Sequence, residues 1–145
     1  MRFVFLIIVP VFAFLAIGQV YGRDNGQYPN PELKGWFDGL ENKKHNRCCS
    51  DADGTGIGLP DWGTEQGPDG KSRYWVTIQK QHIAVPDDAV ITEPNKYGQA
   101  VAWPVWKDDR VGTWVPLKDY LAKPANFAGR AGHIEVLCFM PGAEM

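Results

Sequence analysis

The densest run of chemically capable side chains is His45-Asn46-Arg47-Cys48-Cys49-Ser50-Asp51-Ala52-Asp53-Gly54. Imidazole, thiolate and carboxylate are all metal-ligand types, so His45, Asp51 and Asp53 form the candidate metal set. The same Cys48/Cys49/His45 region carries the alternative of a thiol- or metal-dependent envelope enzyme or metal-binding protein. The spacing argues against a dedicated site: no C-x-x-C or H-x-x-H pair is present, and a disulfide would consume the thiolates. Asp51 to Gly56 imitates the start of a calcium loop, with acids at the first and third positions and glycine at the sixth. The twelfth position, however, is Trp62, where a bidentate Glu is needed. Asp and Gly also gather in turns for backbone reasons alone, and a solvated loop is the plainer expectation.

A Cys-His nucleophile would need a free thiolate beside His45, His82 or His133. The chain has no G-x-S-x-G, H-E-x-x-H or phosphate-cradling glycine loop. No catalytic residue is therefore assigned. No cofactor is expected apart from the metal alternative, and binding is expected ahead of catalysis.

The three cysteines are Cys48, Cys49 and Cys138. In an oxidising compartment they should pair, closing a long loop. Neighbouring side chains of an extended segment point to opposite sides, so one of the vicinal pair faces inward. The expected bond is Cys49 to Cys138, with Cys48 as the alternative. The leftover thiol is buried, reactive, or joined to a second copy as a disulfide-linked dimer. A vicinal Cys48-Cys49 bond would be strained.

Six tryptophans are many for a body of this size. Trp62, Trp75, Trp103 and Trp106 are the candidate ligand-binding residues, because an exposed aromatic row can stack on sugars or anchor a protein. The competing expectation is that indoles fill a small core. Trp75 falls opposite Tyr74, Val76 and Ile78 in an alternating strand, so it faces out if those three face in.

The elements that must position these residues are short. Asn30 and Pro31 form a helix start, and Leu33, Trp36, Phe37 and Leu40 follow as one apolar stripe. From Asn42 to Gly70 turn residues dominate, with a short strand around Ile57 and Leu59. Asp69-Gly70 turns the chain into an alternating strand over Arg73 to Gln79. A second strand runs from His82 to Val85, and Ala100 to Trp103 forms another that Pro104 should stop. Trp114 to Leu121 reads as a strand end entering a helical turn. His133 to Met140 alternates, placing Ile134, Val136 and Cys138 on one face. The expected fold is mainly β (α+β): a small antiparallel sheet or partly open β-barrel, closed on one side by one N-terminal amphipathic helix.

Composition bounds the function. The chain has 145 residues, 44% of them hydrophobic and 22% charged, which excludes disorder and heptad repeats. Fifteen basic against 17 acidic residues give a net charge of −2, without the basic excess of a nucleic-acid binder. Arg2 precedes the uncharged apolar run from Phe3 to Ile17, which is signal-peptide anatomy and shorter than the roughly 20 apolar residues of a membrane span. Cleavage after Gly22 is expected. Residues 1–22 are then a signal peptide, and 23–145 one disulfide-stapled globular domain with no stable membrane span.

With Trp36-Phe37, Cys48-Cys49-Ser50-Asp51-Ala52-Asp53-Gly54, Val85-Pro86 and the ending Cys138-Phe139-Met140-Pro141-Gly142, the chain resembles small exported bacterial proteins of uncharacterised function. Some of these carry a further cysteine where Gly54 stands here. The resemblance implies export and a disulfide framework, and supplies no activity. The expectation is a periplasmic or secreted binding domain whose ligand is a protein or a cell-envelope carbohydrate.

Overall fold

The computed structural model describes residues 31–48 and 54–143. The expected export segment 1–22 and the expected Asn30 cap, together with Cys49, Asp51 and Asp53, lie outside the described residues. In chain order the elements are helix α1 (Pro31–Asp38) and strands β1 (Thr55–Ile57), β2 (Trp62–Gln66), β3 (Ser72–Ile78), β4 (Gln81–Ala84) and β5 (Ala100–Asp108). Strand β6 (Trp114–Pro116), helix α2 (Leu117–Ala122) and strand β7 (Gly132–Met140) complete them.

A near-continuous apolar run, AVAWPVWKD, marks β5 as the centre of the fold, and every residue in it except Lys107 is buried. A strand that lacks alternation must be covered on both faces. β7 pairs antiparallel along one edge of β5, while β1 and β6 share the other, with Thr55 opposite Ala102 and Val105 opposite Pro116. β2, β3 and β4 form a second antiparallel sheet, with Trp62 opposite Val76 and Val76 opposite Ile83. The fold is thus mainly β, and its two sheets do not close into a barrel among the described residues.

Two cores follow from the period-two alternation of β5. On one face Ala100, Ala102, Trp106, Val136 and Phe139 pack with Val76 and Ile78 of β3 and Leu117 of α2. On the other, Val101, Trp103, Cys138 and Met140 pack with Phe37, Leu40, Cys48 and Ile91. The stripe of the N-terminal helix is spent there, with Phe37 fully enclosed. A side chain of that size contributes roughly 1.5–3 kcal/mol on burial.

Two strand expectations are corrected by one irregularity. β5 runs through Pro104 to Asp108 instead of stopping, because the ladder shifts there. Trp103 lies opposite Cys138 but Pro104 lies opposite Val136, leaving Leu137 as an extra residue in β7. A bulge of this kind is where a strand tolerates proline, which has no N–H to donate. The extra residue also flips the parity of β7. Ile134 and Val136 therefore face the first core and Cys138 the second, so the three do not share a face.

Buried Asn42 holds the bulge in place. Its Nδ2 donates to the Leu137 carbonyl at 3.1 Å, while its Oδ1 accepts the Lys44 and Asn46 amides at 2.9 and 3.1 Å. The turn so formed leads to Cys48, whose amide donates to the Leu40 carbonyl at 3.1 Å. Cys48, not Cys49, bonds to Cys138, with the Cα atoms 5.4 Å apart. The reason is packing: Cys48 lies inside the second core, at 0% exposure, beside Cys138.

Candidate binding face

Of the four tryptophans expected to contact ligand, Trp103 and Trp106 are buried at 1% and 5% exposure and present no stacking surface. Trp103 packs 6.2 Å from the Phe37 ring, and Trp106 stacks on Tyr120 with centroids 5.0 Å apart. Trp106 also covers Gly132, where a Cβ would collide with the indole and the Lys107 carbonyl. Trp62 is half-buried on the inner side of its sheet, against Tyr74 and Phe139. These three indoles are core, as the competing expectation held.

Trp75 is different. Tyr74, Val76 and Ile78 pack into the first core, so Trp75 occupies the outer face of β3. Register sets Gly63 of β2 directly opposite it. A Cβ at Gly63 would lie 3.2–3.3 Å from three indole atoms, so the missing side chain is what lets the ring lie over β2. The indole stacks with the His82 imidazole of β4, centroids 4.7 Å apart and planes tilted by 27°. Two residues along β2, Glu65 stands opposite Arg73 and accepts from its Nε at 2.9 Å. His82 Nε2 reaches the other Glu65 oxygen at 2.9 Å, so the Glu65–His82 pair spans β3 and ties both edges of the sheet together. At Gly67, just past β2, a Cβ would first meet the Asp69 carboxylate, at 2.9 Å, with Arg73 Cδ at 3.4 Å. The bare Gly63 thus lets the indole lie along the surface of the sheet.

The His82 hydrogen bond, assisted by Arg73 and opposed by partial burial, holds the Glu65 carboxyl below its ordinary value of 4.5. Glu65 is therefore an anion across the neutral range. The side chains of His82, Arg73 and Glu65 remain 54%, 39% and 28% exposed. A cleft of about 680 Å³ adjoins this surface, with Arg73 and Ala84 common to both and Lys71, Ser72 and Pro86 in its walls.

The candidate metal residues are not brought together. The His45 side chain is 88% exposed and lies 3.4 Å from the Glu41 carboxylate, while Asp51 and Asp53 lie outside the described residues. Among the described residues no three His, Cys, Asp or Glu side chains are grouped to hold a metal ion. Cys48 is not available as a thiolate while bonded to Cys138. Sequence reasoning found Trp75 through alternation but missed Glu65, Arg73 and His82, which converge only through strand register. The signal within reach was the Gly63-x-Glu65-x-Gly67 spacing on a strand. Among the described residues no helix is long and apolar enough to cross a membrane.

No protein-family model, curated protein or solved structure matches the chain.

Proposed function

We propose that this chain is an exported binding domain, periplasmic or secreted, that takes a cell-envelope carbohydrate on the outer face of β2–β3–β4. The observation that carries the reading is the Trp75–His82 stack laid over Gly63 and flanked by Arg73 and Glu65. Sugar rings stack on an aromatic surface, and their hydroxyl groups pair with guanidinium, imidazole and carboxylate. Among the described residues none of these side chains is part of either core, which supports a role at the surface. The apolar run at residues 3–17 supports export, and the Cys48–Cys138 bond is compatible with an oxidising compartment.

Trp75→Ala should abolish retention of the protein by envelope polysaccharide in affinity electrophoresis while moving the melting temperature little. A large stability loss with unchanged retention would return Trp75 to a structural role. A protein ligand is the second reading, favoured by β2 and β4 being the edge strands of their sheet. Such edges accept an added strand. In that case the Trp75 variant would keep a partner that proline substitutions in β4 remove.

A further inference from the structure

We infer that the carbohydrate is an acidic one, a uronic-acid polymer whose carboxylate enters the cleft beside Trp75. This inference rests on the carbohydrate reading and narrows it. Two-residue steps along β3 and the residue leading into it carry Lys71, Arg73 and Trp75 to the same side of the strand. The Gly67 amide donates to the Lys71 carbonyl at 2.8 Å, which extends the ladder far enough to include Lys71. Lys71 and Arg73 both line the cleft.

The carboxylates nearest that cleft each have a partner, a backbone amide for Asp69 and cations for Asp87 and Glu65. Asp69 Oδ1 accepts the Lys71 amide at 3.2 Å and so fixes its own turn. Asp87 accepts from the Lys43 ammonium at 2.8 Å. Glu65 is held by Arg73 and His82. The Lys71 ammonium has no ion-pair partner among the described residues. Arg73 contacts one Glu65 oxygen through Nε and Nη2, leaving further donors of its five-donor fork. An incoming carboxylate therefore meets an unmatched ammonium and a guanidinium with donors to spare, one strand step from an indole. A neutral sugar would meet the same groups through hydroxyl hydrogen bonds, without the charge-assisted contact.

The test measures binding of the disulfide-intact protein to polygalacturonate and alginate, to methyl-esterified polygalacturonate and to poly-L-glutamate, at about 0.1 M salt where exposed charges are only partly screened. The acidic polymers should bind about tenfold more tightly than the ester. Lys71→Ala should remove about that factor by deleting a charge-assisted contact, and Lys71→Arg should restore it. Trp75→Ala should weaken acid and ester alike. Equal binding of acid and ester would overturn the inference and leave the carbohydrate reading standing. Equal binding of polyglutamate would also overturn it, by showing that charge alone is read. Absence of binding to every sugar polymer would defeat both readings.

Discussion

Glu65 is the single side chain on which the outer face converges, accepting from one residue on β3 and one on β4. Its carboxyl is held below 4.5 in the folded chain, so its interactions contribute stability above that pH and lose it as pH falls through the lower folded value. The stability gap between the parent and Glu65→Gln should be full at about pH 7 and vanish in acid, as read by urea melts across pH. A gap that widened in acid would mean that Glu65 acts as a proton donor. Asn42 is the matching pivot inside. Asn42→Ala leaves the Leu137 carbonyl and two turn amides without their partner and should cost about 1–3 kcal/mol in the same melts. Asn42→Asp keeps the two acceptor contacts but cannot donate to Leu137, so it should recover only part of the loss.

At the level of elements, Gly63 of β2 and the bulge of β7 do the positioning. Gly63→Val should displace the indole from the sheet and weaken ligand binding as strongly as Trp75→Ala does, although position 63 carries no binding group of its own. Gly132→Ala should instead destabilise the domain by about 1–3 kcal/mol, since the added methyl would collide with the buried Trp106 ring and the Lys107 carbonyl. Alternation made β3 and the outward turn of Trp75 legible in the sequence, because both sides of that strand differ in polarity. It also gave the strand end and helical turn over Trp114 to Leu121. It failed at Pro104 and Cys138, because a one-residue bulge leaves the residue types of either strand unchanged while inverting which face each occupies. The four-tryptophan platform failed for a related reason. Trp103 and Trp106 sit on a strand buried on both faces, and continuous apolarity does not reveal where a strand lies in a stack.

For the molecule as a whole, the Cys48–Cys138 bond joins residues 90 apart and ties the α1 segment to the main sheet. On the chain-entropy account a loop of that length is worth about 4–5 kcal/mol. Cys48→Ser should lose stability on that scale, Cys49→Ser should not, and non-reducing peptide mapping should recover Cys138 only with Cys48. The vicinal pair was visible in the sequence, but the choice between its members depends on which side of the Asn42 turn meets the core. The order of the strands along the chain has its own consequence. β2, β3 and β4 form a local meander that can assemble as soon as it leaves the ribosome, whereas β1 waits for β5, and β5 in turn for β6 and β7. Both halves of the hydrophobic interior therefore stay open until the last strand has been synthesised.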